Sequence, residues 1–253
     1  MIKFFRSIRS KSISQSRFGK YLLYALGEII LVVIGILIAL QINNWNEGKI
    51  ERKTEKEYLE NMLEDLRSDM QKYEAFEKGN QIIFQLPDSI FTNITFNGGA
   101  GKEAELAFWS RRITMDWVTI EPVTRTFEQM KSSGHLRLIR NKDVSNQIST
   151  YYSTLTQFDS YQEAGMLWAE DYVDFMGKIF NAEVLRSIVQ TRKQPPEGTK
   201  AMISNDSSTV NGFLNSLQYF NGALILGQEV INEKKSQAKN LVDLISKTYL
   251  LND

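Results

Sequence analysis

Residues 21–42 read YLLYALGEIILVVIGILIALQI, 22 residues with one charged side chain, Glu28. At about 1.5 Å of rise per residue, such a helix is long enough to cross a hydrocarbon core of about 30 Å. It exceeds the roughly 7–15 apolar residues of a secretory signal, and no A-x-A-like cleavage site follows it, so the sequence predicts an uncleaved signal anchor. Tyr21 and Tyr24 at one end and Trp45 at the other are candidate interface anchors, because aromatic residues with a polar tip collect where bilayer meets water. A buried core helix of a soluble protein is the competing reading.

The flanking charges set an expected orientation. Lys3, Arg6, Arg9, Lys11, Arg17 and Lys20 precede the span with no acid among them, against Lys49, Arg52, Lys53 and Lys56 over a comparable distance after it. This excess predicts a cytoplasmic N-terminus, with everything beyond Trp45 on the other side. Ile2, Phe4, Phe5, Ile8 and Ile13 are interleaved with the bases, as in a helix lying on an anionic leaflet.

Two stretches carry a family resemblance. MIKFFRSIRSKSISQSRFGKYLLYALGEIILVVIGILIALQINNWNE resembles the opening of a large family of uncharacterised single-span proteins from Bacteroidota, a domain of unknown function, and TFEQMKSSGHLRLIRNKDVSNQISTYY, Thr126 to Tyr152, is similar to that family's internal signature. The resemblance implies a bacterial inner membrane and a periplasmic domain, and implies no activity. The expected plan is a basic cytoplasmic segment over 1–20, a transmembrane helix over 21–45 and a periplasmic helical-bundle domain over 46–253.

Heptad spacing predicts how the last of these folds. Val210, Leu217, Leu224, Ile231, Ala238 and Ile245 lie seven apart, with Phe213, Phe220 and Leu241 three residues on, which predicts one helix of about 40 residues. Val144, Tyr151, Phe158, Tyr172 and Ile179 predict a second, N-capped by Asn141. Leu59, Met62, Leu66, Met70, Tyr73 and Phe76 predict a third, continuing from the anchor to Pro87. Pro122 in the first turn and Gly134 just past the end suggest a short helix between them, and residues 192–205, with Pro195, Pro196 and Gly198, read as an exposed loop. The fold class is therefore all-α, an N-terminal transmembrane helix followed by an elongated antiparallel bundle of three long helices and one or two short ones.

Chemistry is sparse. Cysteine is absent and His135 is the single histidine, which removes thiolate chemistry and makes zinc, copper or non-haem iron sites hard to build. GGAGK, after a β-like run, fails as a phosphate loop because Phe96 and Glu103 stand where glycine and Ser or Thr are required; a glycine turn is the better account. Glu163, Glu170, Asp171 and Asp174 lack the Glu-x-x-His partners of a di-iron bundle and read as a solvated face. His135 reads as a helix-end or interface residue, and the charges from Glu51 to Lys78 as a wet helix face. Lys and Arg together match Asp and Glu at 30 each, so no basic field points to nucleic acid. No cofactor is expected.

Glu28 is the exception. A charged acid is costly inside hydrocarbon, and Val32, Gly35 and Ala39 follow it on one helical face, where Gly35-x-x-x-Ala39 is a spacing that lets another helix approach closely. Three readings compete: an assembly contact within the membrane, a side chain snorkelling to the interface, and a proton carrier in a motor-like complex. The expected function is non-enzymatic, a bundle that binds or scaffolds an envelope protein, with lipid and either a membrane partner or a second copy as the contacts of the span. The alternative is a sensor or ion-coupled accessory subunit of a larger complex, since about 20 cytoplasmic residues cannot hold an output domain.

Overall fold

The computed structural model describes residues 17–116 and 120–251; residues 1–16 of the basic arm lie outside this set. All regular elements among the described residues are helical, eight α-helices with two short 3-10 turns, and the chain divides into two units, residues 1–56 and 57–253. The all-α expectation holds.

Helix α1 runs from Arg17 to Asn80, 64 residues without a proline or a break. In the first unit its apolar side chains, from Tyr21 to Ile42, are exposed all round, as the wall of a lipid-facing helix must be. It stops at Asn80, short of the expected Pro87. Gly79 and Asn80 are weak helix formers, the Asn80 amide donates back to the Phe76 carbonyl at 3.0 Å, and Pro87 instead sits in the first turn of α2, Leu86–Asn97.

In the second unit, α2 ends on Gly98 at φ 60°, the left-handed conformation that glycine adopts without steric penalty. The Gly98–Lys102 stretch is thus the turn expected, leading into α3, Glu103–Met115, but the β-like residues before it are helical. Helix α4, Arg125–Ser132, begins three residues beyond Pro122, not at it, and ends before Gly134 at φ 69° as predicted.

Asn141 caps α5, Lys142–Ser153, by accepting from the Val144 amide at 3.0 Å. The predicted second long helix is in fact two. Its path is interrupted at Thr154 and Leu155, and α6 occupies Thr156–Ile179. The Ser153 and Thr154 hydroxyls donate to the Thr150 carbonyl there, a local bond that competes with helix continuation. Helix α7, Ala182–Thr191, follows on an Asn181 cap, and α8, Ser207–Tyr249, is the 43-residue helix the heptads called for, capped by Asp206.

Two apolar clusters lie along α8. Phe213, Leu217, Phe220 and Leu224 of its first half pack with α2, α3, α7 and the end of α6; Tyr172 stacks on both Phe213 and Phe220 at 5.5 Å between centroids. Ile231, Ala238, Leu241 and Ile245 of its second half pack with α5 and with Leu59, Met62, Leu66 and Tyr73 of α1. Each fully buried side chain of this size contributes about 1.5–3 kcal/mol. Helices α6 and α8 are antiparallel, since Tyr172 meets Phe213 while Tyr161 reaches Ala223. The expected loop at 192–205 is exposed through Lys200, after which Ala201 is buried and Met202 forms an antiparallel bridge with Phe180.

Candidate functional site: the anchor helix and its buried acids

The first helix carries both features of interest. In the first unit, Glu28, Val32, Gly35 and Ala39 project from one face, within an arc of about 60° at 100° per residue. All four are exposed, as are Tyr21, Tyr24 and Trp45. A Cβ built on Gly35 would meet no atom of the described residues within 4 Å, so space for another helix is open there. Lys49 places its ammonium 3.6 Å from the Trp45 ring centroid, a cation–π contact one turn past the predicted interface. Mean hydropathy reaches 2.7 over the apolar window, none of which is buried; α1 is the one helix among the described residues long and apolar enough to cross a membrane. The chain is thereby compatible with single-pass insertion.

In the second unit the same helix departs from expectation. The charges after Glu51 are not all on a wet face: Asp65 and Asp69 are buried, the latter completely. The Asp69 carboxylate accepts from the Val123 amide at 2.7 Å and from the Tyr151 hydroxyl at 2.9 Å, and Tyr151 lies 3.1 Å from the Tyr73 hydroxyl. Asp65 accepts from the Thr126 amide at 3.0 Å and from Arg125 Nη2 at 2.7 Å. One turn beyond Asp69, Lys72 donates to the Glu121 carbonyl at 2.6 Å. Three polar side chains on successive turns of α1 therefore hold the irregular segment that leads into α4. Asp65 also serves as that helix's cap, because the N-cap residue, Thr124, makes no side-chain capping bond of its own.

Electrostatics at this cluster follow from burial. Removal from water pushes the Asp69 carboxyl above the usual carboxylate range; the Val123 amide, the Tyr151 hydroxyl and Lys72 oppose that shift, and the nearby Asp65 charge adds to it. Burial likewise raises Tyr73 and Tyr151, which stay neutral donors. The arrangement can clamp a backbone segment and hold a proton near Asp69. It is closed to a substrate, since Asp69, Tyr73 and Tyr151 have essentially no exposed surface.

His135 opens a 3-10 turn after Gly134, with Nδ1 2.9 Å from the Tyr58 hydroxyl, a helix-end residue as expected. Glu163, Glu170, Asp171 and Asp174 are exposed, and Asp174 pairs with Lys178 at 2.6 Å. Among the described residues no group of acids and histidines is placed to hold a metal. Sequence reasoning missed Asp65 and Asp69, although for Asp69 the signal was present: 59, 62, 66, 69, 73 and 76 alternate by three and four, which puts Asp69 rather than Met70 in the core row.

The chain is similar to a family of unknown function (DUF6090) over residues 28–82, a stretch that begins at Glu28 and ends two residues past α1. The match is narrower than the resemblance implied, and Thr126–Tyr152 lies outside it. No curated protein and no solved structure matches.

Proposed function

We propose that the chain is a single-pass protein of a bacterial inner membrane, with a cytoplasmic N-terminus and residues 46–253 in the periplasm, whose helical bundle binds or scaffolds another envelope protein and catalyses no reaction itself. One observation carries this reading. A single helix, α1, supplies a fully exposed apolar stretch of membrane-spanning length and then, from Tyr58 onward, a row of buried core residues. The excess of bases before Tyr21 supports the orientation. The buried polar cluster around Asp65 and Asp69 supports a non-catalytic role, because its acids hold backbone amides and its tyrosine hydroxyls are bonded to Asp69 and to each other.

Topology and partnership are tested together. Reporter fusions after Asp253 should behave as exported. Trypsin added to spheroplasts should cut at Arg192, Lys193 or Lys200, which stand in the exposed loop. Mild crosslinking in native membranes should then trap a stable protein partner. A cytoplasmic C-terminus would overturn the reading.

A further inference from the structure

The residues just past the apolar stretch sort by charge around the helix. At about 100° per residue, Trp45, Lys49, Arg52, Lys53 and Lys56 fall within an arc of about 100°, while Glu47, Glu51 and Glu55 occupy an arc of about 80° on the opposite side. All four bases are exposed. Lys49 is held against the Trp45 ring, so one cation is already drawn toward the aromatic that marks the interface. In the sequence the next acids, Glu57 and Glu60, follow the last of these bases, so the basic residues are densest near Trp45.

We propose that Lys49, Arg52 and Lys53, beside Trp45, form a binding face for the anionic lipid headgroups of the leaflet in which the span ends. The proposal rests on the reading of residues 21–42 as a membrane span. Distances along the helix support it. Lys49 lies about 6 Å past Trp45, and Arg52 and Lys53 about 10–12 Å past it. Flexible side chains of this length reach back several ångströms, and the field of an anionic surface extends about 8 Å at physiological salt. All three cations therefore lie within range of headgroup phosphates, whereas Lys56, another turn out, lies at its edge. On the opposite side Glu47 is exposed, Glu51 half-buried and Glu55 buried, so repulsion by the same surface falls on Glu47 and in part on Glu51, and it favours the basic side toward the lipid. Charge complementarity of this kind is worth about fivefold in affinity per base near the surface.

The test uses the full chain reconstituted in phosphatidylcholine vesicles containing spin-labelled phosphatidylglycerol or spin-labelled phosphatidylcholine, with electron paramagnetic resonance reading the lipid immobilised by the protein. The native chain should immobilise phosphatidylglycerol at least about fivefold more strongly than phosphatidylcholine, and the preference should fall as salt is raised. A Lys49→Gln, Arg52→Gln, Lys53→Gln chain should lose most of it, while Lys49→Arg, Arg52→Lys, Lys53→Arg, which keeps every charge, should retain it. The bases before Tyr21 are common to all three chains and drop out of the comparison. A preference in the native chain that is absent, or indifferent to salt, overturns the proposal even if the Gln variant fails to fold. A Gln variant that folds and keeps the preference overturns it too. Failure of the native chain to insert at all would instead overturn the membrane reading and this proposal with it.

Discussion

The Tyr151 hydroxyl donates to the Asp69 carboxylate at 2.9 Å inside the bundle, while its neighbour Tyr152, also buried and with its ring stacked on Phe127 at 4.3 Å, has a hydroxyl with no hydrogen-bond partner among the described residues. Two adjacent tyrosines thus differ in what their oxygens do. Tyr151→Phe should cost about 2–3 kcal/mol, because it removes a bond to a charged acceptor and leaves the Tyr73 hydroxyl unpaired. Tyr152→Phe removes an unpartnered polar atom from the core and should be neutral or stabilising by up to about 1 kcal/mol. Thermal melts of the full chain in detergent compare them; equal losses would show that the Asp69 bond contributes nothing.

Asp69 should also leave a signature in the pH dependence of stability. Its folded pKa is raised above the ordinary 3.8, with burial as the main cause. The folded chain therefore holds this proton to higher pH than the unfolded chain does. The contribution is fully present below the unfolded pKa and is lost as pH rises through the folded value. Asp69→Asn keeps an acceptor for the Val123 amide and cannot ionise. The stability of the Asn variant relative to native should therefore improve as pH is raised from about 4 toward neutrality, even though other groups tilt both curves alike. A difference that is flat, or that declines with pH, would show that Asp69 is ionised at no cost.

How much of this was visible beforehand depends on which side of a helix a residue takes. The heptad rows of α8 from Phe213 onward and the row Leu59, Met62, Leu66, Tyr73 and Phe76 of α1 lie in the core as read, while Val210 is partly buried at its edge. The errors came from treating polar residues as interruptions. Asp69 and Asn80 continue the row of α1, Gly227 and Lys234 continue the Phe213 row of α8, and all four are buried. Periodicity alone placed them inside, but their chemistry argued for solvent. What admits Asp69 is a backbone amide at Val123 and a hydroxyl at Tyr151, distant in sequence by 54 and 82 residues, which no local pattern encodes. The break between α5 and α6 was hidden for a similar reason, since the apolar period runs through Thr154 and Leu155 while side-chain bonds to the backbone end the helix. The long apolar helix was legible because composition and length alone define it.

The glycines of α8 give a paired test of packing against propensity. Alanine is favoured over glycine in a helix interior by about 1 kcal/mol. At Gly222 a Cβ would meet nothing within 4 Å, so Gly222→Ala should stabilise by up to that amount. At Gly227 a Cβ would fall on the Tyr161 hydroxyl, which donates to the Ala223 carbonyl. Gly227→Ala should displace Tyr161 and, despite the better propensity, destabilise by about 1–3 kcal/mol. Denaturant midpoints for both variants decide it, and a stabilised Gly227→Ala would show that α6 is not seated on α8 at this point.

The face carrying Glu28, Val32, Gly35 and Ala39 is tested by separating shape from charge. Gly35→Leu adds bulk where the chain itself leaves open space, so it should not disturb the fold of its own chain, and any loss it causes belongs to a contact with another molecule. If the face is an assembly contact, Gly35→Leu should weaken co-purification of the partner or of a differently tagged second copy from membranes. Glu28→Gln, which keeps shape and hydrogen bonding, should then cost much less. A proton carrier predicts the reverse order, because Gln exchanges no proton: function fails while the complex survives. Snorkelling of Glu28 to the interface predicts that neither substitution matters much. Quantitative co-purification of the two variants beside the native chain, together with a growth phenotype of the deleted gene, distinguishes the three. An undiminished complex in Gly35→Leu sinks the contact reading, because no close helix approach over Gly35 could absorb a leucine unchanged.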